Sequence, residues 1–451
     1  MCTERRNHTK SHDEQHDDKT GRHLSPKLFI FSSSRLEPSV VKDEDQQVTK
    51  LKSHSPDLLS LSDLDTDPMD TAGKDESEAD ADVETEQDII LSVQDPSLVS
   101  TNREKPFPKI QPKTNGDLHI HTVLQCGCEV MTCQFNNDGT LLAVGLTDGS
   151  IKVYSSDKGE LLHTLRDLDS IVCSLPVTSL SFTHTSQTHS ILLATYASGC
   201  VKCWYVWGRQ CVWWLKEMIH NGKGDREEKR QTLCLSISPS GEQAVTGGSD
   251  SAIHLYDLNT HQRKQICKAS SMRTVMDGHS SRVFAVMFHP ERETEFISGG
   301  WDNTIQFWDT RQQHAVRMLY GPHVCGDALH IDPSTNQILS GSWRKYTTLE
   351  VWDYSSGTKV TSVPPDPHRD SMIYTCQWLG CDHIVAGGGH ANALRILDRH
   401  TLMVKSQLFD LPTAVFGSSI CPSGKWAGLI AATSGDQVFL LSMDHRKKNP
   451  I

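Results

Sequence analysis

Tryptophan and tyrosine are missing from the first 150 residues of this 451-residue chain, and before residue 116 the only aromatics are Phe29, Phe31 and Phe107. A segment so poor in large apolar side chains cannot bury enough surface to offset the entropy of ordering. Residues 1–115 carry 24 acidic and 15 basic side chains, a net −9 out of −12 for the whole chain. Most of that charge lies in 57–88, where thirteen Asp and Glu face the single Lys74. The first 115 residues are therefore expected to form a disordered acidic tail, and residues 116–451, at net −3, a near-neutral folded body. A basic excess is lacking too, so nothing points to phosphate-backbone or nucleic-acid binding. No run approaches the roughly 20 apolar residues of a membrane span, and MCTERRNHTKSHDEQ has no apolar signal-peptide core. The fourteen cysteines are scattered, and with no export signal they read as free thiols in an intracellular, cytoplasmic or nuclear, setting. Cys126-Gly-Cys128 is too tight a pair for zinc and has no partner pair, so neither metal nor cofactor is expected.

What the chain does have is a repeat. Short apolar strands with a bulky residue near the end recur at Tyr154, Trp204, Tyr256, Trp308, Trp352, Leu397 and Leu441. Their spacings are 50, 52, 52, 44, 45 and 44 residues. A repeat of that length with a Trp-Asp step predicts an all-β propeller of four-stranded blades. Around Trp308 the blade reads Val283–Phe288 (strand a), Phe296–Ser298 (b), Gly299–Asn303 (loop), Thr304–Trp308 (c) and a fourth strand near Ala315–Leu319. The seventh copy has strands a, b and c only, at Thr413–Ile420, Trp426–Ala431 and Val438–Leu441. Leu118–Leu124 alternates correctly and precedes the first blade, so it is expected to close the ring as the missing strand d and remove two sheet edges. Seven blades follow. The run Trp204–Leu215 holds four tryptophans and is read as core, because strands packed on both faces are apolar throughout.

These residues resemble the WD40-repeat family over about 117–451. The blade at 278–311 has its full pattern: Gly278-His279, Ser298, Asp302 and Trp308-Asp309. The resemblance implies that His279, Ser298, Asp302 and Trp308 form a structural hydrogen-bonded chain. His279, His323 and His368 each stand 29 residues before an anchor and read as structural, not catalytic. Blades one, two and seven depart from the pattern, with Ser155, Tyr205 and Ser442 in the place of the Asp.

No hydrolase elbow, phosphate loop, H-E-x-x-H or kinase signature occurs, and no enzyme is expected. The resemblance implies instead a non-catalytic scaffold that recruits other proteins or peptides. By the family's geometry the b–c and d–a loops share one face. The b–c loops GGWDN, GSWRKYT and GGGHANA would place Trp301, Trp343, Arg344, Lys345, Tyr346 and His390 together there. Trp, Tyr and Arg dominate binding energy at interfaces; the plainer reading is that Trp301 and Trp343 cover blade ends. On the opposite face, 296–311 resembles the box ending in W-D-x-R of receptors that dock on the adaptor of cullin-RING ubiquitin ligases. By that resemblance Asp309 and Arg311 would meet the adaptor. In the tail, Ser60, Ser62 and Ser77 each precede an acid by three residues, an acidic-kinase pattern, and Leu24–Phe31 is an apolar island; the plainer reading is a solvated spacer.

Overall fold

The computed structural model describes residues 111–183, 190–219, 228–272, 274–365 and 371–443. The acidic segment, the apolar island at 24–31, the three serines and His368 lie outside them. Seven antiparallel sheets form the blades, spanning 130–165, 177–216, 232–267, 283–320, 329–362, 371–409 and 418–443. Strand a of each touches strand a of the next, from Val130–Phe135 round to Ser418–Ile420 and back, so the seven first strands form a closed ring. This is the seven-bladed propeller that the repeat spacing predicts.

Closure is made as the leftover strand requires. Leu118–Gln125 pairs with Gln437–Met443, with Leu118 opposite Met443 and Gln125 opposite Gln437. Leu118 and Leu124 are buried, and the residues between are half-open or exposed. Just upstream, Lys113–Asn115 adds a fifth strand to blade six by pairing with Val404–Phe409, so ordered pairing starts three residues before position 116.

The core lies between blades rather than inside any one of them. Apolar clusters join blade one to two, three to four, four to five and six, six to seven, and seven to one. Strands b and c therefore face protein on both sides, and all six residues of Leu141–Leu146 and of Thr304–Asp309 are buried. Outer strands alternate instead, as in Gln210–Lys216. That alternation corrects the reading of Trp204–Leu215. Of its four tryptophans only Trp204 is fully buried, at 1% exposure; Trp213 is partly buried against the cluster between blades two and three and stacks on His261, while Trp207 is 44% and Trp214 62% exposed. In blade seven, strand b is Ile430–Ser434; Trp426 sits before it in a loop, donating from its indole to Asp157 (3.0 Å).

Candidate functional site

The polar chain of blade four fixes the face on which the candidate residues stand. Trp308 Nε1 donates to Ser298 Oγ (2.7 Å), which lies 2.6 Å from His279 Nε2; His279 Nδ1 is 2.8 Å from Asp302. With Nδ1–H donating to the carboxylate, Nε2 accepts from the serine. Burial alone would raise the Asp302 carboxyl, but His279, the Ser280 backbone N–H and Thr304 together hold the group below its usual range. Other blades keep the geometry with different chemistry. In blade five Trp352 Nε1 donates to Ser340 (2.9 Å), but His323 turns to Asn303 of blade four (2.9 Å). In blade three the wholly buried Glu217 and Arg230 stand in the histidine's place. Arg230 also reaches Asp250 (2.7 Å), and Glu217 accepts from Thr246 (2.6 Å), Thr232 and Tyr256. Burial would raise Glu217, yet the Arg230 guanidinium beside it holds its carboxyl well below the usual range.

Above this frame the loop residues form a connected patch. Trp301 stacks on Phe284 (5.2 Å, 28°) and on His323 of the next blade (6.1 Å, 15°), with the Arg282 guanidinium 5.4 Å over its ring. Arg344 donates to Asn303 (2.8 Å), which ties the blade-five loop to blade four. Trp343 lies against the Tyr374 phenol, and Tyr374 packs on Phe416 of blade seven (5.1 Å). Trp301 and Trp343 are half-buried, whereas Lys345, Tyr346 and His390 are exposed, with Lys345 5.5 Å over the Tyr346 ring. On the opposite face the Arg311 fork closes on Asp309 (Nε to Oδ1 2.8 Å, a terminal nitrogen to Oδ2 2.5 Å). The two groups of the adaptor box thus occupy each other.

Sequence reasoning missed a set of residues at the centre of the first face. Near its start, strand a carries a β-bulge in blades one, two, three, four and six, leaving Met131, Thr178, Leu233, Phe284 and Tyr374 as the extra residues. Pairing of Leu329 with Ser340 and of Ser418 with Ala432 puts Asp327 and Phe416 at the same level in blades five and seven. Bulges re-aim a side chain; here all seven remain open or half-open at the inner ring. Simple alternation along VFAVMF or MIYTCQW assigns these residues to the wrong side. The legible sign was the glycine opposite. In blades four and six a Cβ on Gly300 would fall 2.2 Å from Arg282 O and one on Gly388 1.9 Å from Met372 O, so the strand facing those two bulges must lack a side chain there, whereas blades one and two carry Leu146 and Tyr196 at that place.

Elsewhere, a cavity of about 830 Å³ opens between the a–b loops of blades six and seven. Its polar groups are mutually engaged: Lys405 with Asp117 (3.8 Å) and His383 (3.1 Å), and the Trp378 backbone N–H with His330 (3.0 Å). Among the described residues every cysteine is free, no group of three His, Cys, Asp or Glu could hold a metal ion, and no helix is long and apolar enough to cross a membrane.

Comparison with known proteins agrees with the fold. The "WD domain, G-beta repeat" family model matches residues 227–257 and 270–309, and the "Anaphase-promoting complex subunit 4 WD40 domain" model matches 118–185. Cilia- and flagella-associated protein 52 of Bos taurus is 24% identical over 280 residues, 62% of this chain and 40% of that protein. Transcription initiation factor TFIID subunit 5 of Caenorhabditis elegans is 23% identical over 56% of this chain and 33% of its own length. The guanine nucleotide-binding protein subunit beta of Zea mays is 24% identical over 38% of this chain and 44% of its own length. The chain thus spans less than half the length of these relatives. A chain in a crystal structure of the mitotic checkpoint complex superposes with a TM-score of 0.58 at 18% identity, covering 78% of this chain and 99% of that one. With seven blades in a closed ring and repeat models matched in several of them, the chain belongs to the WD40-repeat family of β-propellers.

Proposed function

We propose that this propeller is a non-catalytic scaffold that holds a partner protein or peptide on the face bearing Trp301, Trp343, Arg344, Lys345, Tyr346 and His390. The observation that carries the reading is a pair of aromatic groups, Phe284–Trp301–His323 and Trp343–Tyr374–Phe416, joined by the backbone bond from Trp343 N–H to His323 O (2.8 Å) and together crossing blades four to seven. Its members are braced by neighbours yet half-open, so a ligand meets them with little ordering cost. Arg344 and Tyr346 at its rim supply the polar surround that such anchors use. A docking role for Asp309 and Arg311 on a cullin-RING adaptor gains no support from their closed pair and forms no part of the proposal.

The test is a comparison of proteins captured by the full chain and by Trp343→Ala and Arg344→Glu. Both variants are expected to stay folded and to lose the principal partners, with truncation of an anchor costing about 2 kcal/mol of binding or more, roughly thirtyfold. Trp308→Ala, which removes a buried blade anchor, is the control for loss through unfolding. Folded variants that keep every partner would sink the reading.

A further inference from the structure

The outermost strands are where this fold leaves backbone groups unpaired, and most of them are guarded as such edges usually are. Blade six is covered by Lys113–Asn115, blades four and five end in strands of four residues, and blade three presents Arg263 and Lys264. Blade seven exposes His119 and His121 along its outer strand. Gln210–Lys216 of blade two has no such guard: it runs seven residues, bears no charge before Lys216, and exposes Val212 and Trp214. Its bulge at Val212 recurs in the outer strands of blades one, three, five and six, so it belongs to the common plan of the blades. The surroundings are apolar as well. Trp214 pairs with Lys202 and so shares its face. The Lys202 ammonium meets Asp167 (2.7 Å) and Asp169 (3.3 Å) at the start of the short helix Leu168–Cys173. That helix turns Leu168, Ile171 and Val172 to solvent. Towards the other end of the strand Trp207 meets His163 of blade one edge-on (5.2 Å), beside the exposed Leu161 and Leu162.

We propose that this edge joins a second copy of the chain, the two Gln210–Lys216 strands pairing antiparallel across a two-fold axis. The residues of the strand select that occupant. About an axis at Trp213, Val212 of each copy stands opposite Trp214 of the other, Cys211 opposite Leu215, and Gln210 opposite Lys216. The exposed face gains two aromatic–β-branched pairs, which stabilise sheets, and no like charges meet. Both free edges close at once. A stable interface buries roughly 800 Å² on each side, more than the edge of one seven-residue strand supplies. The flanking leucines, Ile171, Val172 and Trp207 extend the area with apolar surface of a kind that monomers rarely leave in water. A two-fold contact sets this patch against itself, so apolar surface meets apolar surface. The patch lies at the rim on blades one and two, away from Trp301 and Trp343 on blades four and five, so the dimer is independent of the partner-binding face.

Sedimentation equilibrium of the full chain tests this, run beside Trp214→Ala, Val212→Asp and the loop-face variant Trp343→Ala. The full chain and Trp343→Ala should both reach twice the monomer mass at micromolar concentration. Trp214→Ala removes an anchor on both sides of the axis, so about thirtyfold per side becomes roughly a thousandfold in Kd. Val212→Asp puts a carboxylate into the apolar seam of each copy and should leave monomers. Both positions are exposed, and thermal melts check that the variants fold. Backbone amides of 210–216 should exchange more slowly in the dimer than in the Val212→Asp monomer, which marks strand pairing. A full chain that stays monomeric, a dimer that both edge variants leave intact, or edge amides with unchanged exchange overturns the proposal. A monomer that takes an added strand of another protein at this edge overturns it too, because the occupant is then not a second copy.

Discussion

At the scale of single residues, the blades share one geometric rule while differing in chemistry. Trp308 needs an acceptor on strand b for its indole N–H, and Ser298 ten residues earlier provides it; Trp352 and Ser340 repeat the arrangement twelve residues apart. Tyr256 in blade three meets a buried carboxylate instead, which then requires Arg230. Two charges fully out of water are tolerated only because each is also hydrogen-bonded: Arg230 to Asp250 and to Ala252 O (2.5 Å), Glu217 to two threonines and the tyrosine. Removing one partner leaves the other uncompensated. Arg230→Met is therefore expected to cost about 3–5 kcal/mol of stability, read as a large drop in melting temperature. Arg292→Met, at an exposed pair with Glu295, should change it little. Equal melting of the two variants would show that the buried network is not what holds this blade.

At the scale of elements, the N-terminal strands have unequal tasks. Leu118–Gln125 supplies a full ladder to Gln437–Met443 and two buried leucines to the clusters on either side of blade seven. Lys113–Asn115 adds only three residues to an outer edge. A chain starting at residue 112 should melt like the full chain, since the upstream residues lack the aromatics of a core. One starting at 117 should lose little. One starting at 126 exposes the edge and the leucines together, and is expected to aggregate or melt far earlier. Circular dichroism melts of the three chains check the order, and a 126 start as stable as the 117 start would disprove closure by this strand. The bulges at the starts of strand a belong to this scale as well. Each spends one residue of regular pairing to turn a side chain toward the ring, and the tight glycines Gly300 and Gly388 are the counterpart on strand b.

At the scale of the whole molecule, the closed ring gathers side chains that are 42–55 residues apart in sequence. It is this gathering that perturbs Asp327. Its folded pKa of about 6 stands above the ordinary value of 3.8. Its contribution to stability is thus complete below about pH 4 and is lost as pH rises through about 6. The facing thiols of Cys133, Cys234 and Cys376 are pushed up by burial, Cys325 to about 11 and the Tyr374 phenol to about 12, so none of these titrates in that window. His323, lowered by burial and by Arg344, is unchanged between the two proteins being compared. Asp327→Asn should match the wild type near pH 4 and exceed it by roughly 1 kcal/mol above pH 6.5, a modest figure because water in the channel screens the charge. A stability difference that stays flat from pH 4 to 7 would place the carboxylate in ordinary solvent.

The division between sequence and tertiary structure follows from the range of the interactions. Blade number, strand order and the closing strand were legible because each blade needs a buried anchor such as Tyr154, Trp204 or Trp308, and because an unpaired edge is costly. Those are local requirements, repeated seven times. Trp301, Trp343 and Arg344 could be placed on one face from loop position alone. What alternation could not reveal was which tryptophans of the second blade face water, since Trp204 and Trp214 differ only in standing on an inner and an outer strand. Nor could it reveal the collar, because a one-residue bulge reverses the facing of a side chain, and pairing of strand a with strand b decides where that bulge falls. Asp327 reads in the chain as an ordinary loop acid after Cys325-Gly326. Only closure of the ring brings it within electrostatic reach of the thiols of Cys133, Cys234 and Cys376 on three other blades.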